Sequence, residues 1–99
     1  SQISAADLQT LGYILFLQGK NSQALECLEK ITLETIEPYK RAEVYCLKGS
    51  IHLKDPYALK KASTCFEHAV GIVPDNTFYR LQLSHVKKAI AEIGINING

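Results

Sequence analysis

The sequence predicts an all-α fold of antiparallel helical hairpins with a C-terminal closing helix, on three observations. Apolar residues recur at spacings of three and four, and strict apolar–polar alternation is absent over any useful length. Helix stop and start residues punctuate the chain at short intervals: Gly19, Pro38, the Asp55-Pro56 pair and Pro74. Two stretches of the chain also repeat each other. The 99 residues, 46% hydrophobic, suit one domain with a modest core and not a disordered tail.

Ser4 followed by Asp7 resembles a capping box and opens a first helix. Leu8, Leu11 and Leu15 form its apolar face, and Gly19 stops it. A short turn, Gly19-Lys20-Asn21-Ser22, leads to a second helix with Ala24, Leu28 and Ile31 on one stripe. Pro38 suits the first turn of a third helix, where its missing N–H costs little; that helix runs through Ala42, Tyr45, Gly49 and Leu53. Asp55 then reads as an N-cap with Pro56 at the first position of a fourth helix. This helix carries Ala62, Phe66, Ala69 and Val73 and ends at Pro74. Asp75 or Asn76 caps a fifth, with Tyr79, Leu83, Val86, Ile90 and Ile93 as its stripe and Gly94 as its stop. Residues 95–99 read as a frayed tail.

Composition excludes several classes of function. Eleven Lys and Arg against ten Asp and Glu leave a net charge of +1, without the basic excess of a nucleic-acid clamp or an anionic-membrane binder. The longest apolar run is Tyr13–Leu17, where a membrane helix needs about 20 residues. No charged segment followed by an apolar one opens the chain as a secretory signal does. Cys27, Cys46 and Cys65 are odd in number and have no close pairing, unlike a disulfide framework or a zinc site. They read as small apolar core side chains in a reducing compartment, the cytoplasm or the nucleus.

Catalytic patterns are not found. The six glycines are scattered and build no phosphate loop, and neither His-Glu-x-x-His nor Gly-x-Ser-x-Gly occurs. His52, His68 and His85 fall on separate helices. Cys65 and His68, three apart, are within reach of each other and read as a buried thiol beside a half-exposed imidazole. Glu26, Glu29, Glu34 and Glu37 read as a solvated face. Lys60-Lys61 and Lys87-Lys88 read as wet helix surface, with contact to an acidic ligand as the other use. No enzyme, cofactor, metal or small-molecule substrate is expected.

The internal repeat appears when Gly12 is superimposed on Gly49. Ala24 follows Gly12 by 12 residues and Ala62 follows Gly49 by 13. Four residues on stand Leu28 and Phe66, then Ile31 and Ala69, and Cys27 matches Cys65. This ladder of Gly, Ala, large apolar residue, Ala and Pro resembles the tetratricopeptide repeat family over about residues 5–93. Repeat one spans about 5–40, repeat two about 41–75 and the closing helix about 76–93, within a single domain over 1–99. The second copy fits better, with Tyr45, Gly49, Ala62, Phe66, Ala69 and Pro74 in place; the first lacks the terminal proline. The repeat step is 37 residues against about 34 for the family, and the extra length falls at Leu33–Glu37 and around Asp55–Tyr57. Lys48 and His52 stand where Leu and Tyr or Leu are usual. Helices pack at about 8–10 Å where side chains are small, so Gly12 with Ala24 and Gly49 with Ala62 are the expected crossings.

The resemblance implies a right-handed superhelical solenoid whose concave groove binds a peptide or helix of a partner protein. Helical offset places Gln9, Tyr13 and Phe16, then Glu43, Cys46 and Ser50, then Phe78, Gln82 and His85 on that face. Phe16 suits the groove and the core equally. Family members that capture the acidic tail of heat-shock chaperones use cationic groove residues, whereas Gln9, Tyr13, Cys46, Ser50 and Gln82 carry none. A less charged peptide or an apolar helix is the expected ligand. The alternative is a piece of a longer solenoid, or a self-associating subunit of a complex. RNA reading by helical repeats lacks any repeated base-reading pair here.

Overall fold

A computed structural model of the chain describes residues 3–98, and among these there are five α-helices, two 3₁₀ turns and no strand. The helices are α1 (Ala5–Leu17), α2 (Asn21–Glu29), α3 (Pro38–His52), α4 (Leu59–Ile72) and α5 (Thr77–Asn98). Local chemistry sets most of their limits. Ser4 caps α1, its Oγ accepting the Asp7 N–H at 3.1 Å. The other end closes on Gly19, the one described residue with positive φ (78°). There the Gly19 N–H donates to the Phe16 carbonyl at 3.0 Å and the Lys20 N–H to the Leu15 carbonyl at 2.9 Å, a Schellman closure. Pro38 sits in the first turn of α3 as expected, and the Glu37 carbonyl accepts from the Lys40 and Arg41 N–H groups at 2.9 Å. Asn76, not Asp75, caps α5: its Oδ1 accepts the Tyr79 N–H at 2.9 Å.

Several limits differ from the sequence expectation: α2, α3 and α4 end at Glu29, His52 and Ile72, short of Ile31, Leu53 and Val73. Asp55-Pro56 opens a 3₁₀ turn, Pro56–Ala58, and α4 begins only at Leu59. Asp55 Oδ1 still accepts the Tyr57 N–H at 2.9 Å, so the cap is real but serves the shorter turn. At the other end of the chain, Gly94 does not stop α5, and residues 95–98 continue the helix instead of forming a frayed tail. Gly94 lacks the positive φ of a C-terminal stop, and a lone glycine inside a helix costs only about 1 kcal/mol. Gly99 lies outside the described residues.

Successive helices pair, α1 with α2, α3 with α4 and α4 with α5, while α2 leans more lightly on α3. The product is a slab of 54 × 30 × 18 Å. Two apolar clusters fill it. Leu8, Ala24, Cys27, Leu28, Ile31, Val44 and Ile51 form one; Ala42, Cys46, Ala62, Phe66, Ala69, Tyr79 and Val86 form the other. The helix α3 belongs to both. The stripe Ala42, Tyr45, Gly49, Leu53 read from sequence is its face toward α4 and α5. Val44 and Ile51 form a second buried face that this stripe does not include, with Val44 0% exposed. In α1 the expected face is only partly right: Leu8 is buried and Leu15 half-buried, but Leu11 is exposed and Gly12 takes the buried place. Ile93 of the α5 stripe is also exposed.

At both crossings the nearest neighbour of the glycine is a large side chain of the facing helix. A Cβ added at Gly12 would meet the Leu28 side chain at 2.7 Å, with the Ala24 carbonyl farther off at 3.6 Å. A Cβ at Gly49 would meet the Phe66 ring at 2.8 Å, and Ala62 is not among its nearest neighbours. The missing side chain is therefore a notch for the large residue itself. Leu28 and Phe66 are both 0% exposed, and burying each contributes about 1.5–3 kcal/mol.

Candidate functional site

A groove of about 630 Å³ opens between α1, α3 and the start of α5. The helices α1 and α3 contribute residues at spacings of three and four, which share one helix face, and α5 contributes two adjacent residues. From α1 come Ala6, Gln9, Thr10, Tyr13 and Phe16; from α3 come Lys40, Glu43, Cys46, Leu47 and Ser50; from α5 come Phe78 and Tyr79. Of the residues placed on one face by helical offset, Gln9, Tyr13, Phe16, Glu43, Cys46, Ser50 and Phe78 line this groove together. It leaves out Gln82 and His85. Only the first turn of α5 reaches the groove, because the rest of that helix packs along α4.

Ala6, Thr10, Lys40, Leu47 and Tyr79 line the groove in addition to the residues expected from sequence. Most were accessible: one further helical step along each stripe leads from Gln9 to Ala6, from Glu43 to Lys40 and to Leu47. Tyr79, on the apolar stripe of α5, is 8% exposed and also lines the groove. Phe16 likewise does both, packing at the edge of the first cluster and facing the groove.

Three aromatic side chains give the groove its character. Tyr13 and Phe78 are half exposed, at 50% and 54%, and the Phe16 ring lies between wall and core. Polar groups stand among them. Gln9 Nε2 donates to Glu43 Oε1 at 3.2 Å, bridging α1 and α3. Ser50 Oγ donates to the Cys46 carbonyl at 2.9 Å. Lys40 and Glu43 are the two charged residues in the lining.

The groove thiol is unsuited to nucleophilic work. Burial raises the Cys46 pKa from 9.0 to about 11, against a smaller lowering by Ser50. At neutral pH it is a protonated thiol, and the thiolate is the reactive form. Tyr79 is also shifted up, by burial first and then by Cys46 and Glu43. Cys27, Cys46 and Cys65 are all unpaired. Cys27 and Cys46 are buried as expected, while Cys65 is half-buried. Next to it, His68 stacks on Tyr45 with ring centroids 4.5 Å apart and planes at 15°.

Among the described residues no three His, Cys, Asp or Glu side chains gather as metal ligands, and no helix is long and apolar enough to cross a membrane. The fold and groove together define an all-helical chain with an open, aromatic-lined channel. Comparison with family models, with curated proteins and with solved structures finds no match.

Proposed function

We propose that this chain is a non-enzymatic protein–protein interaction module of tetratricopeptide-like architecture, an adaptor or scaffold whose groove holds a peptide or helix of a partner. The groove between α1, α3 and α5, with Tyr13, Phe16 and Phe78 around the Gln9–Glu43 bridge, is the observation that carries this reading. Aromatic anchors take apolar side chains, and the flanking polar groups orient a backbone. The paired notches, Gly12 under Leu28 and Gly49 under Phe66, support the view that two hairpins are copies of one unit. In this reading the hairpins stack as a right-handed superhelical solenoid with the groove on its concave side. Lys40 adds one cation at the rim and Glu43 offsets it, which favours a weakly charged ligand over an acidic tail. The unpaired cysteines favour the cytoplasm or nucleus as its place of work.

Selection of peptides from a displayed random library, followed by titration of the winners, tests the proposal. Tyr13→Ala should weaken binding at least tenfold while far-UV circular dichroism stays unchanged. Undiminished binding by that variant, or winners that shift no groove signal, removes the groove assignment.

A second reading, a self-associating subunit or part of a longer helical array, draws on α5. Leu81 is 62% exposed and lies one turn from Phe78. Sedimentation over a hundredfold concentration range separates the two: a constant monomer mass supports the peptide binder.

A further inference from the structure

A second cleft, of about 410 Å³, lies on the other side of α3, among α2, α3 and α4. At about 3.6 residues per turn, Tyr45, Lys48 and His52 point nearly opposite to Glu43, Cys46 and Ser50, so the groove and this cleft share α3 without sharing a residue. Charge in the cleft is lopsided, although the whole chain is nearly neutral. Lys48 from α3 and Lys60 and Lys61 from α4 line it, with His52 and His68, and Glu29 is the only carboxylate in its wall. Three ammonium groups against one carboxylate leave a formal +2 with the histidines neutral. Lys48 and Lys61 lie near enough to act on His52: burial, then these two cations, hold its imidazole below the ordinary value, against weaker opposing effects from Glu29 and Asp55. Thr64 also lines the cleft, its hydroxyl donating to the Lys60 carbonyl at 3.1 Å. The volume falls in the range of small-ligand sites, about 300–1,000 Å³.

We infer that this cleft binds a phosphate monoester, its dianion held by Lys48, Lys60 and Lys61 beside the Tyr45–His68 stack. A phosphate monoester carries about −1.5 to −2 at pH 7, which matches the local excess; a single carboxylate leaves the site positive. Lysine ammoniums are point-charge partners for phosphate oxygens. The second lysine pair, Lys87-Lys88, lies on α5 and lines no part of this cleft, so it serves as an internal control.

The test is amide-resolved NMR of the full chain, titrated with inorganic phosphate, O-phosphoserine and phosphatidic-acid vesicles, with sodium acetate matched for ionic strength. Phosphate and O-phosphoserine should shift the signals of Lys48, His52, Thr64 and Cys65 saturably, and acetate should not. Lys60→Gln with Lys61→Gln, both exposed, should weaken the response at least tenfold, whereas Lys87→Gln with Lys88→Gln should leave it unchanged. Stronger binding of O-phosphoserine than of vesicles points to a phosphorylated side chain; the reverse points to a lipid headgroup. Equal shifts with acetate, or shifts centred on Lys87 and Lys88, overturn the inference. Neither outcome bears on the peptide groove, whose signals lie on the opposite face of α3.

Discussion

At the residue scale, the two buried glycines of α1 and α3 carry the most specific information. Gly49 has no room for a methyl, because the Phe66 ring stands 2.8 Å from where it would go, and an aromatic ring in a filled core has few other rotamers. Gly49→Ala should destabilise by about 1–3 kcal/mol, more than the roughly 1 kcal/mol that alanine gains in a helix. Gly71, on α4 with nothing within 4 Å of its added Cβ, is the matched control. There the alanine variant should stabilise by up to about 1 kcal/mol. Urea midpoints moving in the same direction for both variants contradict the notch. Cys46 makes a second prediction. The unfolded thiol ionises near 9.0, while the folded one keeps its proton to about 11. The folded state thus binds more protons over that window, so stability is unaffected below pH 9 and falls as pH climbs toward 11. Cys46→Ala should flatten this part of the stability profile relative to wild type, measured by denaturant titration at each pH.

At the element scale, caps and turns mark where each helix begins. Asn76 Oδ1 satisfies the Tyr79 N–H at the start of α5, whose first turn carries Phe78 and Tyr79 into the groove. Asn76→Ala should cost about 0.5–2 kcal/mol, and Asn76→Ser should restore most of it. Thermal melts of the two variants check this; equal losses place the effect elsewhere than the cap. The 3₁₀ turn Pro56–Ala58 accounts for the one extra residue between Gly49 and Ala62 compared with Gly12 and Ala24: Asp55 caps a separate turn before α4 begins at Leu59.

At the scale of the whole molecule, α3 is the shared wall. It contributes Val44 and Ile51 to one apolar cluster and Ala42 and Cys46 to the other, and it separates the groove from the basic cleft. Two apolar clusters that draw on one helix should unfold together. Val44→Ala, with a loss of about 1.5–3 kcal/mol, and Phe66→Ala, with about 3–5 kcal/mol, should each move one common transition. Circular dichroism and tyrosine fluorescence are expected to coincide in both. A variant that splits the curve, leaving one hairpin folded, refutes the coupling.

Helix existence and most limits were legible in the chain, because a hydroxyl beside a free N–H, a proline without one and a glycine at positive φ act within a few residues of themselves. The same locality made the two stripes of the groove readable, since helical spacing alone puts Gln9 with Tyr13 and Glu43 with Ser50. Where α5 turns away was not readable: Gln82 and His85 share the spacing of Phe78, and their exclusion depends on α5 lying along α4. Nor was the second buried face of α3, for an apolar residue at Val44 signals burial without saying against what. The partner of each glycine, and the convergence of Lys48, Lys60 and Lys61 on one cleft, likewise belong to packing between helices far apart in sequence, where shape and volume select among arrangements that local propensity leaves equal.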